Sequence, residues 1–192
     1  MWHWEAPHPA WKKSDGGPDG WGPEVSSYAI DDGERLLLFD PLAPPSLVDE
    51  FAAGRRPVIV LTCPWHERDA RSVVEQLGAP VFVPPPDEGN KDPIGGTVFS
   101  AGDRLPVGVE AFPGMEPNDL VLWIESRRAL VFGDTLVDHG RGLELPVTWL
   151  PKGMTRAQAL ETLRPLLELP VELVLPTHGA PADRAALERA LS

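Results

Sequence analysis

The feature that most limits how this chain can fold is a continuous apolar run between two chain breakers. Val58-Ile59-Val60-Leu61 lies between Pro57 and Thr62. A strand with apolar residues at successive positions is buried on both faces, as in a sheet covered by further layers. Apolar positions at helical spacing follow over residues 70–77, and residues 81–83 form another short apolar run. The pattern predicts a strand, a helix and a second, parallel strand.

The rest of the chain repeats the same kinds of element. Turn residues between apolar runs predict two hairpins, and two helices flank a further buried strand. The predicted strands are 25–30, 35–40, 98–101, 104–106, 109–112, 120–124, 129–132 and 171–175, and the predicted helices are 46–54, 70–77, 156–168 and 182–191. This order predicts an α/β fold, a four-layer αββα sandwich with two central sheets and helices on the outside.

Proline and glycine divide this fold into elements rather than preventing it. The 192 residues include 23 prolines and 18 glycines, but 42% of the chain is hydrophobic, which is enough for a core. We predict a single domain over residues 25–192, preceded by an irregular Trp/Pro-rich arm over residues 1–24 that packs on it. The indoles of Trp4, Trp11 and Trp21 in this arm are interpreted as docking contacts, as the wall of a ligand pocket or as a dimer contact.

Charge and cysteine content exclude several classes of partner. The net charge of −12 argues against nucleic-acid binding, and no apolar run is long enough to cross a membrane. Cys63 is the single cysteine, and the first residues lack a signal-peptide pattern, so we expect a reduced cytoplasmic protein. These features leave a small-molecule ligand open as a partner, and the oligomeric state stays open as well.

Polar residues follow the predicted buried strands, where open α/β sheets carry their functional sites. The polar segments are Asp40, residues 62–69, Gly114-Met115-Glu116-Pro117, Gly133-Asp134-Thr135 and Pro176-Thr177-His178-Gly179. In order and spacing these segments resemble those of the metallo-β-lactamase superfamily, from about Tyr28 to the C-terminus. The resemblance implies the αββα sandwich and a hydrolase ancestry with a site for two metal ions.

The residues at the ligand positions depart from the pattern that this resemblance implies. Active relatives carry His-x-His-x-Asp-His after the buried strand and another histidine in a later Gly-His segment. When this sequence is aligned with that motif without gaps from Thr62, the residues at ligand positions that differ from the motif are Cys63, Trp65, Glu67, Arg68 and Met115. Only Asp134 and His178 match ligand positions outright. Indole and guanidinium groups do not serve as zinc ligands, so we expect the two-metal site to be largely lost.

Two alternatives remain for the residual site. In the first, a shift of one residue brings His66 into a ligand position, with Asp69 three residues later, and one zinc ion binds to Cys63, His66, Asp134 and His178. In the second, the guanidinium of Arg68 takes the place of metal charge and pairs with Asp134 alone or with both Asp134 and Glu67, so that no metal binds.

The predicted function depends on whether the residual site binds a metal ion. If the protein acts as an enzyme, the resemblance implies metal-assisted hydrolysis of an ester, thioester, amide or phosphodiester. The candidate catalytic residues are His66, Asp134 and His139, the last because a histidine near the cleft can act as a general base at neutral pH. The alternative is a non-catalytic ligand-binding or scaffold protein that uses the same cleft.

Overall fold

Two six-stranded sheets form the centre of the protein. The computed structural model describes residues 1–17, 20–44, 54–87, 89 and 93–192. The first sheet has the strand order β1-β2-β3-β4-β5-β6, and the second has the order β14-β13-β10-β9-β8-β7. The helix predicted at 46–54 lies outside the described residues except for Gly54. The αββα sandwich predicted from the sequence is confirmed.

The elements of the described residues are as follows. The strands are β1 (Trp2–Pro7), β2 (Glu24–Asp31), β3 (Arg35–Phe39), β4 (Arg56–Val60), β5 (Val81–Val83), β6 (Thr97–Val98), β7 (Arg104–Leu105), β8 (Val109–Pro113), β9 (Leu120–Ile124), β10 (Ala129–Phe132), β11 (Val137–Asp138), β12 (Leu143–Glu144), β13 (Leu173–Pro176) and β14 (Ala182–Asp183). The α-helices are α1 (Ala70–Leu77), α2 (Arg156–Leu163) and α3 (Arg184–Ala190). None of these helices is long and apolar enough to cross a membrane.

Three apolar layers explain why the strand sequences are continuous hydrophobic runs. In β4, Val58 and Val60 face the core between the two sheets, whereas Ile59 faces the outer layer on the side of α1. In β10, Val131 faces the central core and Phe132 faces the layer under α2 and α3. Both faces of each sheet are therefore buried, and alternation between apolar and polar residues disappears.

The strand–helix–strand unit predicted from the apolar run is confirmed. Strand β4 pairs in parallel with β5, and α1 connects them. The predicted helix at 156–168 is shorter than expected, because α2 ends at Leu163 and a 3₁₀ segment, Arg164–Glu168, completes it. Pro165 lacks an amide hydrogen, so it cannot continue the α-helical hydrogen-bond ladder.

The N-terminal segment is more regular than predicted. Strand β1 pairs antiparallel with β2 along its whole length and forms the edge of the first sheet, so the prediction of an irregular arm is wrong for these residues. Alternating exposure along the strand, with Trp2 and Trp4 packed against the outer apolar layer, is the period-2 signal that marks it. The domain boundary after residue 24 stays a prediction.

Hydrogen bonds join the two sheets where the functional loops begin. The hydroxyl of Tyr28 in β2 donates to the carbonyl of Pro176 at the end of β13, at 2.7 Å. The amide of Ser26 donates to Thr177 O, and the amide of Leu120 donates to Thr62 O, both at 2.8 Å. These bonds fix the loops after β4 and β13 relative to each other.

We expect Tyr28→Phe to lower the free energy of unfolding by about 1–2 kcal/mol, because the buried carbonyl of Pro176 loses its donor while the aromatic ring is kept. Urea unfolding followed by circular dichroism measures the change. An unchanged midpoint with an unchanged m-value would show that this bond between the sheets contributes nothing to stability.

Candidate metal centre

The loops after the central strands, together with His8, Trp21 and Trp149, line an open cavity of about 390 Å³. Parallel pairing of β3 with β4 and of β10 with β13 brings the carboxyl ends of these strands to the same edge. The residues that line the cavity are His8, Trp21, Trp65, His66, Arg68, Asp134, Trp149 and His178. Aromatic and titratable side chains thus meet in a single concave site.

The carboxylate of Asp134 is the meeting point of the titratable groups. Its Oδ1 atom lies 3.2 Å from Nε2 of His66 and 3.2 Å from Nε2 of His178. This oxygen is buried, and no group in the described part of the chain makes a hydrogen bond of suitable geometry to it. Its other oxygen, Oδ2, accepts a 2.7 Å hydrogen bond from the indole of Trp65. Burial opposes the charge of Asp134, but the two histidines outweigh this and hold its pKa well below the usual range.

A second carboxylate orients the ring of His66. This residue ends a short 3₁₀ turn, Pro64–His66, which begins four residues after the end of β4. Its Nδ1 lies 2.9 Å from Oδ2 of Asp40 and 3.2 Å from the hydroxyl of Thr62. When Nδ1 donates its hydrogen to Asp40, Nε2 keeps a free lone pair. Metal-binding histidines donate their other ring hydrogen to a carboxylate in the same way. Burial and the charge of Arg68 lower the pKa of His66, but Asp134 and Asp40 outweigh them and raise it to about 9.

His178 sits between two indole rings. Its ring centroid lies 5.5 Å from that of Trp21 and 5.7 Å from that of Trp149, both in edge-to-face geometry. Burial lowers the pKa of His178 to about 4 against the opposing effect of Asp134, so the ring is neutral at neutral pH. Gly179 follows with a φ of +126°, and a Cβ there would lie 2.6 Å from the carbonyl oxygen of Asp138, so this turn requires glycine.

Cys63 completes the group of donor atoms. Its Sγ atom, a ring nitrogen of His66 and a carboxylate oxygen of Asp134 all lie within 4.8 Å of one another, and the cysteine is fully buried. Burial raises the pKa of the thiol well above its usual value, and the carboxylates of Asp134 and Asp119 add to this effect. A metal cation would remove this barrier, because a coordinating thiol loses its proton.

Arg68 does not replace a metal in the way predicted. Its Nη1 donates to the carbonyl oxygens of Ser26 at 2.8 Å and Asp40 at 2.9 Å, and within the described residues it forms no ion pair with Asp134. The prediction that Arg68 pairs with Asp134 and Glu67 is therefore wrong. The backbone carbonyls of Ser26 in β2 and of Asp40 just after β3 hold the guanidinium instead. The Glu67 carboxylate contacts Arg71 and the amide of Ile94.

Three other candidates lie away from the cluster. Asp69 accepts a 2.6 Å hydrogen bond from the amide of Ala43 through Oδ2, so its carboxylate serves a loop contact. Met115 is buried, and its amide donates to the hydroxyl of Thr135 at 2.8 Å. His139 packs edge-on against Trp149 and lines a neighbouring cavity with Arg141 and Glu144.

The tryptophans of the N-terminal segment have different surroundings. Trp21 lines the cavity with His178 and packs against it. Trp11 donates its indole hydrogen to Trp21 O at 2.9 Å and lines an adjacent cavity. Trp4 lies elsewhere, because its indole donates to Leu42 O at 2.7 Å and its ring packs on the outer apolar layer of the first sheet.

Two residues of the site gave no sequence signal. Asp119 is fully buried behind the cluster, where the Thr135 hydroxyl donates to its Oδ2 at 2.5 Å. Burial and the charge of Asp134 raise the pKa of Asp119 to about 8. Trp149 lies in a short 3₁₀ segment, Val147–Trp149, far along the chain from the other site loops. Only tertiary packing brings either residue to the site.

Comparisons with known proteins agree with this architecture. The family profile of the metallo-beta-lactamase superfamily matches residues 45–178, so the chain belongs to this superfamily. A search of curated proteins finds no match.

Three solved structures illustrate the likeness. TTHA1623 in a di-iron-bound form is 26% identical, with a TM-score of 0.64 over 91% of this chain and 95% of that chain. The BLEG-1 B3 metallo-beta-lactamase is 17% identical, with a TM-score of 0.66 over 98% and 97% of the two chains. FIM-1 from Pseudomonas aeruginosa in its mono-zinc form is 14% identical, with a TM-score of 0.63 over 88% and 82%. The last two likenesses show the fold alone.

We expect Asp40→Asn to lower the free energy of unfolding by about 1–3 kcal/mol, measured by urea denaturation. Asparagine tolerates the left-handed backbone of residue 40 (φ 44°), so the substitution does not strain the chain. A side-chain amide, however, cannot accept from all three donors, which are Thr62 N, Thr62 Oγ1 and His66 Nδ1. Asp103→Asn is the control, because Asp103 is exposed and, among the described residues, accepts from one amide, that of Ser100. Equal effects of the two substitutions would contradict the role of the buried carboxylate.

Proposed function

We propose that the protein is a metal-dependent hydrolase with one zinc ion, held by Cys63, His66, Asp134 and His178. The observation that carries the proposal is the buried Oδ1 atom of Asp134, which two imidazole Nε2 atoms approach to 3.2 Å without hydrogen-bond geometry. Imidazole nitrogens and a carboxylate oxygen that converge without hydrogen bonds to one another are donor types that zinc binds.

The donor atoms fit zinc in kind. Those of Cys63, His66 and Asp134 lie within 4.8 Å of one another, and His178 approaches the group through its 3.2 Å distance to Asp134. Thiolate sulfur, imidazole nitrogen and carboxylate oxygen are its three protein ligand types. Two ligand atoms that are each about 2.0–2.1 Å from a tetrahedral zinc ion lie about 3.3–3.4 Å apart, close to the 3.2 Å between Asp134 and each histidine. The contact of Asp40 with His66 supplies the outer support that metal-binding histidines carry.

A site for one metal ion is favoured over a site for two. Trp65 and Met115 stand where the resemblance implies histidine ligands, and neither provides a strong zinc donor. The indole of Trp65 donates to Asp134 Oδ2 and so occupies one face of that carboxylate. The neighbouring guanidinium of Arg68 adds positive charge, which opposes a second cation.

The chemistry would be hydrolysis of an ester, thioester, amide or phosphodiester. A bound zinc ion acts as a Lewis acid and lowers the pKa of water to near neutrality. The chain's own groups prepare this site: Asp40 fixes the ring of His66, Trp65 fixes the carboxylate of Asp134, and the indoles of Trp21 and Trp149 shield His178 from solvent. The di-iron form of TTHA1623, at 26% identity, supports a metal in this fold.

A non-catalytic binding protein is the second candidate. The raised pKa of His66, about 9, favours it, because a proton on this ring would place a positive charge between the carboxylates of Asp40 and Asp134. In that case the histidine itself compensates the two buried charges, and the cavity serves to bind a ligand.

Metal content separates the two candidates. We expect about one zinc ion per chain by elemental analysis after expression with added zinc, and near zero in Cys63→Ser and His178→Ala, because each loses one of four ligands. After cobalt substitution, we expect a thiolate-to-cobalt charge-transfer band that is absent in Cys63→Ser. His139→Ala is the matched control and keeps its metal, since His139 packs on Trp149 outside the donor set. Zinc-free wild-type protein that also fails to bind added cobalt would refute the proposal.

Activity provides a further prediction. We expect the zinc-loaded wild-type protein to hydrolyse at least one of para-nitrophenyl acetate, an acetyl thioester and bis(para-nitrophenyl) phosphate. The rate should fall to background after chelation and return when zinc is added back, and His178→Ala should stay at background under both conditions. Hydrolysis that persists unchanged after chelation would rule out the metal as its cause.

A further inference from the structure

A second cavity, which we call the Trp11 cavity, lies beside the candidate metal centre. Its volume is about 420 Å³, and Trp21 and His178 belong to its wall as well as to the wall of the metal cavity. The side chains that the Trp11 cavity does not share with the metal cavity include those of Trp11, Glu5, Glu24 and Asp138. No lysine or arginine is among the described residues that line it. The Trp11 cavity therefore combines indole rings with carboxylates.

Strand pairing places two of these carboxylates on the same face of the first sheet. In the antiparallel register of β1 and β2, Glu24 lies opposite Pro7 and Glu5 lies opposite Ser26, so the two glutamates are diagonal neighbours. Both side chains are exposed, and neither forms an ion pair with another residue in the described part of the chain. Because like charges on neighbouring positions repel each other, a cation bound near them would stabilise the protein.

Backbone contacts hold the two indole rings of the Trp11 cavity in place. The indole of Trp11 donates to Trp21 O at 2.9 Å, so its one donor is used and its ring faces remain for a ligand. The amide of Trp21 donates to Asp15 O at 3.0 Å, and a Cβ on Gly20 would lie 1.9 Å from the same oxygen, so this turn requires glycine. Both rings stay partly exposed. Rings that are fixed before a ligand arrives lose little freedom when it binds.

We propose that the Trp11 cavity binds an organic ammonium ion, held by the carboxylates of Glu5 and Glu24 and by the indole rings of Trp11 and Trp21. The face of an indole attracts a cation that lies within about 6 Å of the ring centroid, and nearby carboxylates add charge attraction. A hydrated metal ion fits this cavity less well, because indole rings supply no oxygen ligands. The inference goes beyond the proposed function, since it assigns a separate site that needs no metal.

The test compares a cation with its neutral isostere. Choline and 3,3-dimethylbutan-1-ol have the same shape and the same hydroxyl group, but only choline carries a charge. Each compound is titrated by calorimetry into the wild-type chain after metal removal by chelation. We expect choline to bind at least about ten-fold more tightly, and added sodium chloride to weaken choline binding alone, because salt screens partly exposed charges. Equal affinities overturn the proposal, and so does the absence of choline binding.

A matched pair of double variants locates the site. Glu5→Gln combined with Glu24→Gln removes both carboxylates and keeps side-chain size, so we expect choline affinity to fall about ten-fold while the affinity for the alcohol is unchanged. The control combines Glu75→Gln on α1 with Glu125→Gln after β9, which lie outside the cavity and change the net charge equally. All four side chains are exposed, so the substitutions leave the core intact. Equal losses in the two double variants refute the assignment.

A crystal structure of the wild-type chain with choline gives an independent measurement. The quaternary nitrogen should lie within about 6 Å of the ring centroid of Trp11 or Trp21, and any other position refutes the proposal. Failure of the metal proposal is distinguishable, because choline is titrated into the chelated chain and metal content is measured separately. A zinc-binding hydrolase that does not distinguish choline from the alcohol refutes this inference alone. A metal-free chain that selects choline supports it and refutes the metalloenzyme.

Discussion

The buried carboxylate of Asp40 is the interaction on which the rest of the site depends. It stands at the end of β3 in a left-handed backbone conformation and is fully shielded from water. Its oxygens accept from the amide and hydroxyl of Thr62 and face Nδ1 of His66, so it joins the ends of β3 and β4 to the first site loop. The carbonyl of the same residue accepts from Ser27 and Arg68. A buried charge is tolerated here because nearly all of its capacity to accept hydrogen bonds is used.

Charge balance then decides how the cluster behaves. Asp40 and Asp134 place two carboxylates on opposite sides of His66, while His178 reaches the same oxygen of Asp134 from the other loop. Two buried anions with one nearby guanidinium need a further positive charge, which either a metal ion or a proton on His66 provides. The proposed enzyme and the proposed binding protein differ in which of these two cations is present.

Close approach between the sheets is the second condition for the site. A Cβ on Gly133 would lie 2.6 Å from the Thr62 hydroxyl and 2.7 Å from Oδ1 of Asp119, so the segment that presents Asp134 reaches the first sheet only because that residue is glycine. The hydrogen bond from the Tyr28 hydroxyl to the Pro176 carbonyl also fixes the position of the segment that presents His178. Both contacts link residues far apart in sequence.

The sequence by itself determined the layers and the list of candidate donors. Apolar runs such as residues 57–62 predict strands buried on both faces, and the sandwich follows. The strand ends together with the resemblance to the superfamily point to Cys63, His66, Asp134 and His178. Local signals do not specify the rest: prolines and tryptophans obscure the alternation of the first strand, and no pattern marks Asp119 or Trp149. Only the tertiary structure decided which donors meet, because spacing along the chain does not specify side-chain directions. It placed both histidines on one oxygen of Asp134 and turned Arg68 toward backbone carbonyls instead of that carboxylate.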